Sequence, residues 1–282
     1  FISIEKLLDS KINFECAIVT TPSATHYKIV KKLLDSKINC LVEKPITLSS
    51  IEAKKLFNLA EGKKVKLLVD HTFLYDPSLK FIRNILSNEL LGDLIHLSFE
   101  RTNLGPIRYD VNANWDLATH DVSILSSLFD FLPSKVTSSG LATLNNNLVD
   151  IVNTSMYYED VFITLFTSWL HPEKTRKVKI VGDKKMLIWD NMSLDQEIKI
   201  YDKSILNDSD EKQDFFSNMK VIRNGKITIP YIKKEEPLKN VLIDFYKNIR
   251  GGKINDINSK DLTLRTIKTM EMVEKSLFIK NT

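Results

Sequence analysis

AIVTTPSATHYKIVKKLLDSKINCLVEKPITLS, residues Ala17 to Ser49, decides the fold class. Its beginning belongs to the run CAIVT, Cys16 to Thr20, which reads as a strand, while Ala24 to Asp35 has the spacing of an amphipathic helix and Cys40 to Val42 reads as the core of a second strand. Outward from there the alternation continues, with helices at Ser3 to Ser10 and Ser49 to Glu61 and a strand at Val65 to Val69. Strands alternating with helices of this length imply a parallel sheet joined by crossover connections. KLLDSKIN occurs at Lys6 to Asn13 and again at Lys32 to Asn39, an offset of 26 residues, each time just before a strand. The offset matches one helix, one strand and their loops, and fits either a duplicated unit or two loops of convergent chemistry.

Beyond Pro77 the texture changes. A helix at Ser78 to Asn88 precedes a strand at Leu94 to Arg101 and a helix at Asp116 to Phe129. Candidate strands follow at Lys135 to Thr143, Ile151 to Tyr158, Val161 to Leu170, Arg176 to Val181, Lys185 to Trp189 and Glu197 to Tyr201, with turn residues such as Gly182-Asp183 marking antiparallel hairpins. Lys203 to Asp214 reads as an exposed polar loop. Helices at Glu236 to Ile249, ended by Gly251-Gly252, and at Lys260 to Phe278, opened by Ser259, close the chain. The expected architecture is an α/β unit over residues 1–73 followed by an α+β unit over 74–282 with a large, mainly antiparallel, open-faced sheet.

Composition narrows the function classes. Among 282 residues, 43% are apolar and 27% charged, as in globular proteins and unlike disordered or fibrous ones. No window approaches the roughly 18 apolar residues of a membrane span, so no membrane partner is expected. The net charge is +4, with lysines scattered among acids, which argues against nucleic acid. Two cysteines, Cys16 and Cys40, exclude a disulfide scaffold and fit a reducing, cytoplasmic setting. The five histidines lack zinc-site spacing, so no metal is expected.

Ligands of open parallel sheets bind beyond the carboxyl ends of the strands. Here those ends carry Thr20-Thr21-Pro22, Glu43-Lys44-Pro45 and Asp70-His71-Thr72, an unusual run of polar groups along one edge, although each has an ordinary explanation as a strand end or cap. Asp116 and His120 are four residues apart, which on a regular helix places them on one face. A carboxylate beside an imidazole makes a general acid/base pair, with Asp121 as the alternative partner; the plain reading is an aspartate serving the helix dipole and a structural histidine.

The Ala17 to Ser49 run, with its T-P-x-x-x-H loop and E-K-P segment, resembles the Gfo/Idh/MocA oxidoreductases. So do VDHTFLYDP, NWDLATHDVSIL, IVGDKKMLIWD and the closing FYKNIRGGKIN and SKDLTLRTIKTMEMVEKS. The resemblance implies a partial Rossmann-type domain and NAD or NADP as cofactor. It implies Lys44, Asp116 and His120 as catalytic residues, with His120 accepting a hydroxyl proton, Lys44 steadying the alkoxide and Asp116 orienting His120 or holding substrate. Thr20, Thr21, Pro22, His26, Glu43, Lys44 and Pro45 are implied around the cofactor. The implied substrate is a sugar or nucleotide sugar, in the branch tied to bacterial surface polysaccharides, and a homo-oligomer is expected through the open sheet face. Arg101, Asn103, Arg108 and Asn112 flank the catalytic helix and are expected to contact substrate oxygens, the alternative being surface charge. A catalytically idle relative serving as an assembly module is the other reading, and retention of Lys44, Asp116 and His120 speaks against it.

Family members open with a glycine-rich βαβ segment, whereas this chain has only 8 glycines and starts at Phe1, in the non-signal-like FISIEKLLDS. The resemblance therefore implies that roughly sixty residues, two steps of about 30, are absent, and that this polypeptide alone binds dinucleotide poorly and is inactive. Calorimetry with NAD(H) tests this: binding weaker than micromolar is expected, and micromolar affinity would refute it.

Overall fold

A computed structural model describes residues 3–10, 12–105, 107–144, 148–206, 221–252 and 256–281. The alternation read around Ala17 folds as α1 (Ile4–Leu8), β1 (Cys16–Val19), α2 (Ser23–Asp35), β2 (Asn39–Glu43), α3 (Ser50–Lys63) and β3 (Leu67–Asp70). The three strands are parallel in the order β1-β2-β3. Central β2 buries Cys40, Leu41 and Val42, the continuous apolar run that a strand covered on both faces requires. Helix starts follow local chemistry: Ser49 caps α3 by accepting from the Glu52 N–H, and the first N–H of α2, on Ser23, is bound at 3.0 Å by the carboxylate of distant Asp110.

After a 3-10 turn at Thr72–Tyr75, α4 (Pro77–Ser87) begins behind Asp76, whose side chain accepts from the Ser78 N–H at 2.8 Å. There follow β4 (Leu94–Thr102), a π-helical turn (Asn114–Ala118) continuous with α5 (Thr119–Leu128), and β5 (Lys135–Ala142), β6 (Ile151–Tyr158), β7 (Val161–Ser168), β8 (Thr175–Gly182), β9 (Met186–Asp190), β10 (Ile198–Leu206) and β11 (Val221–Thr228). The chain closes with α6 (Pro237–Ile249), α7 (Lys260–Ser276) and β12 (Leu277–Asn281). β4 to β12 form one nine-stranded sheet in the order β11-β10-β9-β8-β4-β7-β6-β5-β12. Its pairs are antiparallel except β4 with β7 and β5 with β12. Leu97, Phe99, Met156, Ile163, Leu165, Val178 and Ile180 line its buried face, packed with Val122 and Leu125 of α5. Alternate residues such as His96, Tyr157, Phe162 and Lys179 stay half-buried or exposed on the other face. The expected fold class is met, and no helix among the described residues is long and apolar enough to cross a membrane.

Three local expectations are corrected. Residues Lys203 to Leu206 continue β10 because they pair with Val221 to Asn224 of β11, a strand the polar sequence did not announce; residues 207–214 lie outside the described residues. The last helix stops at Ser276, where Leu277, Phe278 and Ile279 instead pair parallel with Ser138, Ser139 and Gly140. The helix expected from Asp116 starts earlier, at Asn114, with the π turn. Gly251, at φ +82, ends α6 as expected: its N–H bonds Asn248 and that of Gly252 bonds Lys247, the paired closure of a Schellman motif.

The closing helices pack back on the first sheet. Glu271 of α7 accepts from both the N–H and Oγ of Ser50, each at 2.7 Å, and Asn258 donates to the Val69 carbonyl at 2.8 Å. Glu271 thus satisfies an orphan donor at the start of α3. Replacing Glu271 by alanine is expected to cost about 1–2 kcal/mol in urea unfolding; a loss within error of zero would show the contact to be idle.

Candidate active site

Lys44 follows β2 directly, with its side chain only 11% exposed. A buried ammonium needs acceptors, and Nζ finds the main-chain carbonyl of Asp116 at 2.5 Å and Asp116 Oδ1 at 3.4 Å. Burial lowers the Lys44 pKa, and the Asp116 carboxylate opposes that shift. Arg108 Nη1 reaches the same Oδ1 at 3.4 Å, and the indole N–H of Trp169 donates to Oδ2 at 3.2 Å. Asp116 sits in the π turn, whose entry is fixed by Asn112, its Oδ1 accepting from the Trp115 N–H at 2.9 Å and its carbonyl from the Asp116 N–H at 3.0 Å.

The expected contact between Asp116 and His120 is not made: among the described residues neither imidazole nitrogen of His120 has a hydrogen-bond partner. A π turn does not keep the 3.6-residue stacking of an α-helix, and the Asp116 carboxylate is already turned to Lys44, Arg108 and Trp169. Asp121, the alternative partner, is committed to Arg101. His120 instead packs against Phe73, ring centroids 5.1 Å apart, and lines a cavity of about 590 Å³ with Thr72, Arg176 and Asn191. Burial, then the charges of Lys44, Arg101 and Arg176, hold its pKa well below the usual value, so it is a neutral base at pH 7. That electrostatic coupling puts Lys44, at the end of β2, and His120, on α5, into one field.

Thr20, Thr21, Pro22, His26, Glu43 and Lys44 do meet, around a separate cavity of about 630 Å³ at the carboxyl ends of β1 and β2, closed on the other side by Arg108 and Asp110. His26 braces it, with Nδ1 2.8 Å from the Pro45 carbonyl and Nε2 2.7 Å from the Thr21 carbonyl; Pro45 itself is buried and contributes that carbonyl. Glu43 lies opposite Asp70 in the sheet, and burial followed by that neighbouring carboxylate raises its pKa. A carboxylate acceptor, threonine hydroxyls and an ammonium on a concave strand-end surface fit the ribose and nicotinamide end of a dinucleotide.

The four residues expected at the substrate divide. Arg101 is 5% exposed and consumed by Asp121, its Nε 3.0 Å from both carboxylate oxygens and Nη2 2.6 Å from Oδ1. Asn112 is spent on the turn and on Glu274, at 3.1 and 3.2 Å. Asn103 follows β4, with its N–H on the Ser168 carbonyl. Arg108 alone faces a cavity, holding Asp110 at 2.9 and 2.8 Å while reaching Asp116. Trp115 is core, 6% exposed. Sequence reasoning missed Trp169, which no motif marks, and Arg176, although an arginine in phase with Val178 and Ile180 on an apolar strand face is a readable signal.

Residues 1–71 match the family model described as "Oxidoreductase family, NAD-binding Rossmann fold", GFO_IDH_MocA. Over those residues the chain is similar to the Gfo/Idh/MocA oxidoreductases. The family's nicotinamide cofactor class agrees with the sequence expectation. The chain is 26% identical over 147 residues to a UDP-N-acetylglucosamine 3-dehydrogenase of Acidithiobacillus ferrooxidans, covering 52% of this chain and 45% of that protein. It is 26% identical over 187 residues to a scyllo-inositol 2-dehydrogenase (NADP(+)) of Bacillus subtilis, covering 62% and 51%. The matches thus span about half the length of these curated relatives. Among solved structures, a 3-ketoreductase from Actinomadura kijaniata in complex with TDP-benzene and NADP aligns with TM-score 0.80 at 14% identity, over 99% of this chain and 82% of that one. The Acidithiobacillus dehydrogenase aligns with TM-score 0.76 at 19% identity, over 98% and 82%. These likenesses establish the fold of the chain.

His71 beside Lys44 gives a pH prediction. It is buried, with Nε2 3.3 Å from Thr263 Oγ1, and burial plus the Lys44 charge push its pKa down to about 4. The unfolded chain, with an ordinary histidine pKa near 6.5, binds more protons, so stability is full above about pH 6.5 and falls as pH drops toward 4. Between pH 7 and pH 5 the wild type should lose about 1–2 kcal/mol more than His71→Asn in urea unfolding. Equal losses would show His71 to titrate normally.

Proposed function

We propose that this chain forms the substrate side and part of the cofactor side of an NAD(P)-dependent dehydrogenase acting on a hydroxyl of a sugar or nucleotide sugar. The observation that carries this reading is the Lys44 ammonium on the Asp116 carbonyl at 2.5 Å, just ahead of the neutral, unengaged imidazole of His120 on the same helical run. Oxidising a secondary alcohol requires the hydroxyl proton to leave while charge on oxygen is steadied. His120 suits the first task and Lys44 the second, with Asp116 keeping Lys44 charged against burial. Thr20, Thr21, His26, Glu43 and Lys44 would hold the nicotinamide end of the dinucleotide, which supplies the hydride acceptor when bound.

The nucleotide-sugar substrate draws support from the names of the Acidithiobacillus and Actinomadura proteins, and the bacterial surface-polysaccharide setting goes with that reading. Residues 1–73 would serve the dinucleotide and 74–282 the substrate. The half-exposed aromatic and polar face of the nine-stranded sheet, with Tyr157 and Phe162 in contact across it, suits pairing with a second copy, and the free Cys16 and Cys40 suit the cytoplasm.

The test is turnover by the full-length gene product with NAD⁺ or NADP⁺ and a panel of sugars and nucleotide sugars. Lys44→Met and His120→Ala should each lower kcat by about 10²- to 10⁴-fold with the fold intact by circular dichroism. Unchanged turnover in both would refute the assignment and favour an idle relative.

A further inference from the structure

Strand pairing sets Arg101 of β4 directly opposite Arg176 of β8, on the buried face of the large sheet. Like charges in that position repel, so each guanidinium requires its own anion. Arg101 has one: Asp121 gives it both carboxylate oxygens, at 2.6 to 3.0 Å. Arg176 has none. Among the described residues its side chain makes no ion pair and no hydrogen bond; it lies half-buried with its guanidinium carbon 5.6 Å from the centroid of Phe73. The same ring receives Arg101 at 4.4 Å and His120 at 5.1 Å, so Phe73 holds the uncompensated cation beside the candidate base. Burial lowers the Arg176 pKa and Arg101 adds to the effect, while the more distant Asp121 charge, already spent on Arg101, opposes it; an arginine keeps its charge and so remains an anion receptor.

Two acids in the cavity wall are held by other donors. Asp76 accepts from the Ser78 N–H at 2.8 Å and from Asn191 at 3.2 Å, and Glu197 Oε1 accepts from the Trp189 indole at 2.9 Å and from Asn191 at 3.3 Å. Those donors are neutral and leave the carboxylates charged, and Lys234, Glu235 and Glu236 share the wall, but among the described residues the Arg176 guanidinium beside His120 has no carboxylate in contact and faces the same space of about 590 Å³.

We propose that this cavity receives an oxyanion group carried by the sugar substrate, a carboxylate or a phosphate, on the fork of Arg176, so that the neighbouring hydroxyl meets His120. The inference rests on the sugar-dehydrogenase reading above and narrows it to acidic sugars. A planar guanidinium matches either oxyanion with two parallel N–H donors. The bound charge also acts on His120. Of the groups around that imidazole, Lys44, Arg101, Arg176 and His71 disfavour its protonation. Asp76, Glu197, Lys234, Glu235 and Glu236 share the cavity wall, and an anion on Arg176 offsets the charge of that guanidinium. Substrate thereby makes the base stronger as it binds.

The experiment is calorimetric titration of the chain, without dinucleotide, with D-glucuronate, glucose 6-phosphate and methyl glucoside, while the His120 imidazole is followed by NMR. At least one acidic sugar should bind about tenfold or more tighter than the neutral glucoside and shift the His120 resonances. The two acids distinguish a carboxylate from a phosphate preference, and either supports the proposal. Arg176→Met should abolish the preference, and Arg176→Lys should restore only part of it. Equal binding of acid and glucoside, no binding of either acid, or a preference that survives Arg176→Met overturns it. Should Arg176→Met fail to fold, Arg176→Lys and the wild-type His120 shift decide. Because no hydride transfer is read, acid-sugar binding without dehydrogenase activity refutes only the oxidoreductase reading, and turnover of neutral sugars alone refutes only this one.

Discussion

A lysine that cannot reach bulk water must find oxygen, and Lys44 finds it on the far side of a sheet boundary. Its Nζ contact with the Asp116 carbonyl joins the end of β2 in the parallel sheet to the helical run that packs on the large sheet. Asp116 is accordingly a hub and not a helper of His120. Its carboxylate gathers Lys44, Arg108 and the Trp169 indole, and the π turn directs it there. That contact joins the strand-end cavity around Glu43 to the run that carries His120, alongside the direct passage from Asp70 of β3 to Thr72 and Phe73 in the wall of the His120 cavity.

Charge placement then decides what the site can do. Three cations depress the proton affinity of His120, yet only Lys44 and Arg101 have carboxylates against them. An imidazole so placed is neutral and available, but a weak base until something offsets the remaining charge. Burial works in the opposite sense on the acids, raising the pKa values of Glu43, Asp70 and Asp76. At these buried positions the neutral forms are favoured, whereas the Arg108–Asp110 pair at the mouth of the strand-end cavity is held in its charged form.

Much of this was legible in the residues. The strand-helix alternation from Cys16 to Val69, the polar strand ends and the hairpin strands from Lys135 to Asp190 follow from period and turn chemistry, and they stand where pattern put them. The convergence of Thr20, Thr21, Glu43 and Lys44 on one cavity was legible for the same reason, since strand ends of a parallel sheet converge whatever their sequence separation. What escaped was set by tertiary choice. Leu277 to Asn281 continues a helical pattern but finds an open strand edge, and β11 exists because β10 offers it a partner. Arg101 read as a substrate ligand because its proximity to the helix of Asp116 and His120 was visible and Asp121's claim on it was not.

The most direct test of this account is the titration of Lys44 itself, followed through its side-chain ¹³Cε or ¹⁵Nζ resonance in the wild type and in Asp116→Asn. Burial should hold the wild-type value below the ordinary 10.5, and loss of the opposing carboxylate charge should lower it further. A Lys44 that titrates normally in both proteins would mean that its amine is free in solvent, and that the two sheets are not joined at a common site.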